Sequence, residues 1–231
     1  MALPAQASNG SEPFVVLELF TSQGCSSCPP ADLYLKKVAE RAREQNLRVY
    51  PLSFHVDYWD YLGWRDPFSS QQFTKRQRNY TNSFRIQSMY TPQMIVNGLY
   101  EFGGYKSNYA DRLIREFLAQ KPKTNLNFTT KRDANTLKIN YLVKPVVENS
   151  ILNFAIVQET TNNDVKSGEN RGRKLAHANV VRTFKSIRNP TATGNIELNI
   201  PEGLDPSNTT VIGYIQHISG TPVFGANAKE L

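Results

Sequence analysis

Cysteine is nearly absent from this chain: 231 residues hold two, Cys25 and Cys28, together with three histidines, three methionines and two tryptophans. So few thiols exclude a disulfide-stapled scaffold, which joins distant segments through several pairs. The histidines, His55, His177 and His217, lie too far apart in sequence to form the ligand cluster of a structural zinc site. No stretch approaches the ~20 consecutive apolar residues of a membrane-spanning helix. Runs of like charge are missing as well. Lys and Arg outnumber Asp and Glu by 27 to 20, a net charge of +7. The basic residues are scattered from Lys36 to Lys229, so the excess describes a generally basic surface and not a nucleic-acid footprint.

Hydrophobic content of 39% and aromatic content of 11% suit a folded globular chain. The length suits one large domain or two smaller ones. Residues 1–12 are mostly small and polar, and Ala5-Gln6-Ala7 has the small-x-small form of a signal-peptidase site. Two readings stand side by side there: the remnant of an export signal and an ordinary flexible N-terminus.

Phe14 to Phe20 is an apolar run broken only by Glu18, the pattern of a strand buried on both faces. A polar loop, Thr21 to Gly24, leads into Cys25-Ser26-Ser27-Cys28. Pro29 and Pro30 then open a helix, where a missing amide costs nothing, and apolar spacing carries it to about Arg43. Leu47 to Val56 reads as a second strand, with Pro51 at a bulge or an edge. Strand, helix and strand in this order predict parallel pairing. An aromatic, polar insertion follows over residues 57–88, with a helix predicted from Ser70 to Asn82. Thr91-Pro92 then precede a hairpin whose turn is Asn97-Gly98, and a helix is predicted over Tyr105 to Gln120. A βαβ unit followed by ββα, with a proline ahead of the hairpin, is the thioredoxin arrangement.

Lys121-Pro122-Lys123 reads as a domain boundary. Beyond it the apolar residues recur with period two, at Leu137 to Val143 and Ile196 to Ile200. Ile151 to Val157, Val180 to Ile187 and Thr210 to Ile218 are further strand candidates. The expectation is an α/β thioredoxin-like domain over residues 13–120 with an inserted aromatic and helical segment. A mainly antiparallel, sandwich-like β domain would occupy residues 121–231.

A CxxC motif sets two sulfurs face to face at the first turn of a helix, whose free amides and dipole favour a thiolate on the first cysteine. Cys25 is then the expected attacking sulfur and Cys28 the resolving one, with Ser26 and Ser27 supplying hydroxyl donors. A static local disulfide is the plainer alternative. Thr91-Pro92 stands where a thioredoxin carries a cis proline opposite its dithiol, leaving the Thr91 backbone to pair with an extended substrate. Glu18 is expected as a buried carboxylate that carries a proton for Cys28, its pKa raised by burial. Its spacing of seven residues to Cys25 is one longer than a thioredoxin's, and a surface acid or a partner of Arg48 fits the same residue. His55 and Asp57 follow a strand end, where open α/β sheets place binding groups, while Tyr58, Trp59 and Trp64 suit packing between domains. Arg171, Arg173, His177 and Arg182 form either a basic lip at the dithiol or a satisfied loop network.

Four blocks carry a resemblance to a known family. They are Leu17 to Asp32 (LELFTSQGCSSCPPAD), Ser53 to Asp60 (SFHVDYWD) with Leu62-Gly63-Trp64, and Tyr90 to Met94 (YTPQM) with Val96-Asn97-Gly98. The fourth is Glu169 to Arg173 (ENRGR) with His177 and Asn179 to Arg182. Together they resemble the DUF1223 family and span most of the chain. The resemblance implies a thioredoxin-like fold, export to the periplasm or beyond, and no settled activity. The resulting expectation is an exported thiol–disulfide oxidoreductase acting on a protein or small-thiol substrate. It would need no cofactor, metal, nucleic-acid partner or membrane span. Two readings from other classes stand beside it: a Cu(I)-binding protein using Cys25, Cys28 and His55, and a non-catalytic interaction module.

Overall fold

The protein is described by a computed structural model over residues 12–231; the two readings of the N-terminal segment fall on residues 1–11, outside those described. Strand β1 (Val15–Thr21) is buried along its whole length, as an apolar run with one carboxylate requires. Helix α1 (Pro29–Glu44) starts on its two prolines, with Asp32 in its first turn and Arg41 and Arg43 in its last, so its charges oppose the macrodipole at both ends. Strand β2 (Val49–His55) runs parallel to β1, from Val15 opposite Val49 to Thr21 opposite His55. Helix α2 (Gln71–Ser83) is capped by Ser70, whose hydroxyl accepts from the Gln72 amide. Strands β3 (Gln93–Val96) and β4 (Tyr100–Gly103) form the expected hairpin, with φ of 48° at Asn97 and 66° at Gly98. Helix α3 (Ser107–Leu118) follows.

The C-terminal half is all strand: β5 (Asn125–Asp133), β6 (Thr136–Lys144), β7 (Ser150–Asp164), β8 (Lys174–Arg188), β9 (Thr193–Asn199), β10 (Thr209–His217) and β11 (Val223–Glu230). Its strands do not keep to themselves. Eight strands form one sheet in the order β11-β10-β7-β8-β2-β1-β3-β4, and β5-β6-β9 form a second. The boundary read at Lys121 therefore separates the halves in sequence but not in hydrogen bonding. The join is β8 beside β2, parallel, with Ser53 opposite Val180. Pro51 lies inside the sheet and not at its edge. β8 pairs with β2 only at Ser53, so the missing amide interrupts no ladder, and Asn179 Nδ2 donates to the Pro51 carbonyl at 3.0 Å.

The alternation of β1 and β2 divides the core. Val16, Phe20, Leu52 and Phe54 point to one face and meet Phe73 and Tyr80 of α2 with Phe184 and Tyr214. Val15, Leu17 and Leu19 point to the other, under Leu35 and Val38 of α1 and Leu113 and Phe117 of α3. The small sheet packs its Phe128, Ile139 and Tyr141 on Leu152, Phe154 and Ile156 of β7, so it lies against the large sheet and not within a separate C-terminal domain. Among the described residues no helix is long and apolar enough to cross a membrane.

Candidate functional site

Beyond the end of β1 the chain turns through Ser22, whose carbonyl and hydroxyl accept from the amides of Cys25 (3.2 Å) and Gly24 (3.1 Å). Gly24 passes close under Trp59: a Cβ there would lie 3.2 Å from the Trp59 Cβ and 3.3 Å from its carbonyl oxygen. Cys25 and Cys28 are joined in a disulfide, and Cys28 is the N-cap of α1. The Thr91–Pro92 peptide is cis, as expected. Ser27 Oγ lies 3.3 Å from Cys25 Sγ and 3.5 Å from the Thr91 carbonyl that it donates to. Trp59 Nε1 donates to Thr91 Oγ1 at 2.8 Å. The Gly104 amide donates to the Pro92 carbonyl at 2.9 Å, and Gly104 has room for no side chain, with Ala31, Leu19 and Pro92 all within 3.2 Å of its Cβ position. Cys25, Cys28, Ser26, Ser27, Thr91 and Pro92 thus share one site.

A strap from the C-terminal half crosses this site. The segment between β7 and β8 brings Glu169 Oε2 to within 2.9 Å of the Ser26 amide, from which it accepts. Asn170 Nδ2 donates to the carbonyls of Gln23 (3.0 Å) and Cys25 (2.8 Å), and Arg173 holds the Asn170 side-chain oxygen at 2.7 Å. Ser26 and Ser27 remain exposed, while Cys25 and Cys28 both have 0% exposure. In this conformation the sulfurs are closed to a visiting molecule.

Beneath the dithiol lies a buried polar cluster. Asp32, one helical turn after Cys28, sits on the same face of α1. Trp64 Nε1 donates to Gln23 Oε1 at 3.2 Å, which leaves the Gln23 amide nitrogen to donate to His177 Nε2 at 3.3 Å. His177 then carries its proton on Nδ1, which lies 3.7 Å from Asp32 Oδ2, an ion-pair distance too long for a hydrogen bond. Next to it, His55 Nδ1 is 2.6 Å from Asp66 Oδ2, so a ring proton there faces a carboxylate. Asp66 also accepts from the amides of Gln23 and Phe68. Burial alone would lower the His55 pKa, but Asp66 and Asp32 outweigh it and hold it above its ordinary value; His55 and these amides, against the burial that opposes them, hold Asp66 below its own. The two imidazoles lie edge to face with centroids 4.8 Å apart. Both oxygens of Asp32, His177 Nδ1, His55 Nε2, Ser53 Oγ and Thr21 Oγ1 are buried without a hydrogen-bond partner.

The remaining expectations separate. Glu18 does not serve the dithiol. It points to the α2 face, where Arg76 clamps it through Nε and Nη2 at 2.6 and 2.8 Å and Tyr80 donates to it at 2.7 Å. Strand parity decides this, because Glu18 lies between Leu17 and Leu19, which face α1. Asp57 joins the end of β2 to α2 by accepting from Thr74 Oγ1 at 2.5 Å, away from the site. Of the basic lip, Arg173 holds the strap and His177 is buried in the cluster, while Arg182 bonds Gln158 and covers Phe68 at 5.1 Å. The tryptophans are hydrogen-bond donors to the site as well as packing groups. Among the described residues no three His, Cys, Asp or Glu side chains stand in a metal-binding arrangement, so His55 is not assembled with the dithiol as a third ligand.

Asp32, Gln23, Asp66, Glu169 and Asn170 were not singled out from the sequence. Asp32 carried a signal, its spacing of four from Cys28 on a helix. Glu169 and Asn170 stood in a block that carries the family resemblance, but nothing local says that a loop 145 residues from Cys25 returns to it.

The profile of DUF1223, a protein family of unknown function, matches residues 16–216. No curated protein matches the chain. A crystal structure of an Agrobacterium tumefaciens protein is 28% identical and superposes with a TM-score of 0.67 over 94% of each chain. The structure of HBP35 of Porphyromonas gingivalis is 15% identical, with a TM-score of 0.69 over 96% of this chain and 76% of that one, a likeness of fold alone.

Proposed function

This chain belongs to the DUF1223 family of proteins of unknown function, and we propose that it works as an exported thiol–disulfide oxidoreductase whose N-terminal half is a thioredoxin-like unit. The observation that carries the reading is the pairing of Cys25 with Cys28 at the N-cap of α1, beside Ser27 and the Thr91 carbonyl. In the reducing direction the Cys25 thiolate attacks a substrate disulfide. One substrate sulfur leaves as a thiolate and the other stays bonded to Cys25. Cys28 loses its proton and attacks Cys25 Sγ, which breaks the mixed disulfide, frees the second substrate thiolate and restores the Cys25–Cys28 bond. Two electrons pass to the substrate, and the reverse sequence oxidises a dithiol. Asp32, with Cys28 on its helix face, is the carboxylate that takes the Cys28 proton in place of Glu18.

Both sulfurs are covered, so a partner reaches Cys25 only after a local rearrangement, and the Glu169–Asn170 strap bonded to the Ser26 amide and the Cys25 carbonyl is the segment that we propose shifts. A cleft of about 260 Å³ lined by Pro30, Leu33, Tyr34, Lys37, Gly104 and Tyr105 adjoins the start of α1. Leu33 and Tyr105 are 49% and 68% exposed there, and with Lys37 and Ser107 beside them they give a mixed surface suited to an extended protein segment. A dithiol that rests as a disulfide fits an oxidising compartment, periplasmic or secreted. The test is insulin reduction by wild type, Cys25→Ser and Cys28→Ser. Turnover by wild type alone, with Cys28→Ser trapped as a mixed disulfide through Cys25, supports the reading. Equal rates for all three overturn it.

A further inference from the structure

The Ser26 amide follows directly on Cys25, two residues ahead of the Cys28 N-cap of α1; it is a backbone donor that would stabilise a thiolate on Cys25, where Pro29 and Pro30 have no amide to offer. In the disulfide form this donor is taken by Glu169 Oε2 at 2.9 Å. We propose that Glu169, reaching over from the C-terminal half, is a redox-tuning residue that holds the Cys25–Cys28 couple toward its disulfide form. The proposal rests on the oxidoreductase reading above and assigns that half a part in the chemistry.

The argument compares the charges of the two forms. In the disulfide neither sulfur is charged, and the carboxylate has the Ser26 donor and the positive end of α1 to itself. Its hydrogen bonds to Ser26 hold the Glu169 pKa below the ordinary carboxylate range, so it is ionised at neutral pH. Reduction by two glutathione thiols, which become glutathione disulfide, leaves Cys28 protonated and Cys25 as a thiolate once its proton passes to solvent. That thiolate forms next to a carboxylate and finds one of its amide donors occupied. Glu169 therefore raises the free energy of the reduced form relative to the oxidised form, in which it keeps its Ser26 donor. Arg173, bonded to Asn170, and the exposed Lys166 and Arg171 on the same loop offset part of this charge. From beneath, Asp32 and His177 face the helix start and are the same in both variants below. Since Glu169 is exposed, solvent and salt screen its field.

The experiment is a redox titration of the full chain in glutathione buffers for wild type, Glu169→Gln and Glu169→Lys, at low and at high salt. Glutamine keeps an oxygen for the Ser26 amide and removes only the charge. Glu169→Gln is expected to shift the equilibrium constant toward the dithiol by about fivefold, the scale of one screened unit charge a few ångströms away. At 29.6 mV per tenfold this is about 20 mV less negative. Glu169→Lys moves further the same way, and both differences shrink in about 1 M salt. In the reduced protein, alkylation of Cys25 by iodoacetamide reaches half its maximal rate at lower pH in Glu169→Gln than in wild type. An unchanged or more negative potential in Glu169→Gln overturns the proposal, as does a shift that salt leaves intact. These outcomes differ from failure of the oxidoreductase reading, in which wild type itself shows no reversible couple.

Discussion

A buried carboxylate lies on each side of the large sheet, Glu18 on β1 and Asp32 on α1, and the two are treated in opposite ways. On the α2 face Glu18 is 1% exposed and fully partnered: Arg76 grips it twice, Tyr80 donates to it and Tyr214 donates from 3.2 Å. The guanidinium is itself held by Tyr214 and Gln216 and lies over the rings of Phe54 and Phe184. On the α1 side Asp32 is buried too, but neither oxygen has a hydrogen-bond partner, and the His177 ring nitrogen Nδ1 stands 3.7 Å off. Burying polar groups unpaired costs free energy. Glu18 belongs to a closed structural network; Asp32 and its histidines form an open one next to the only two thiols in the chain. The first arrangement ties α2 to the sheet, and the second leaves buried oxygens and ring nitrogens without hydrogen-bond partners.

The contrast can be broken from its stable side. Arg76→Met leaves Glu18 buried without its counter-ion, and urea denaturation should show a loss of about 3–5 kcal/mol. Asp32→Asn should do the reverse of this. Its stability should stay within about 1 kcal/mol of wild type, since no hydrogen bond is lost. Release of the leaving group from a mixed disulfide preformed at Cys25 should slow by about a hundredfold in stopped-flow kinetics. If Asp32→Asn proves as unstable as Arg76→Met while releasing normally, the two faces are alike and the distinction fails. Asn170→Ala removes two donors to the strap's anchor and should cost about 1–3 kcal/mol, with faster alkylation of reduced Cys25 as the strap loosens.

The smallest effect is a slope with pH. His55 has its pKa raised in the fold, so its pairing stabilises the protein fully below the unfolded value of about 6.5. That contribution is lost as pH rises through the folded-state value. Asp66, lowered, contributes above about 3.9 and loses its share as pH falls through its own folded value. His55→Gln should therefore flatten the decline of stability on the alkaline side, measured as urea midpoints from pH 5 to 8.

Local chemistry was legible in the sequence and long-range pairing was not. The apolar run around Glu18, the double proline of α1 and the Asn97-Gly98 turn each declare an element through neighbours in the chain, and the elements lie within a few residues of where those signals put them. The dithiol, the serines between its sulfurs and Thr91-Pro92 were readable for the same reason. The direction of the Glu18 side chain was not, because it depends on which face of β1 receives α1. Strand β5 (Asn125–Asp133) ends in a polar tail that hides its two buried positions, Leu126 and Phe128. β7 and β8 each run 15 residues, well beyond the apolar runs Ile151 to Val157 and Val180 to Ile187 that signal them. They continue as strands because they pair with each other from Ile151–Arg188 to Asp164–Lys174. That long hairpin delivers Glu169 and Asn170 to Cys25, and β8 to the side of β2. A boundary at Lys121, drawn from a change of period, could not show a sheet that closes across it.

The most direct test of the account is to equilibrate wild type and Cys25→Ser in glutathione buffers of graded potential, trap free thiols by alkylation and weigh the products. Two alkyl groups should be gained together over one two-electron transition in wild type, with no such transition in the variant. A Cys25–Cys28 bond that stays intact across the whole range, or that once reduced never re-forms, would contradict it.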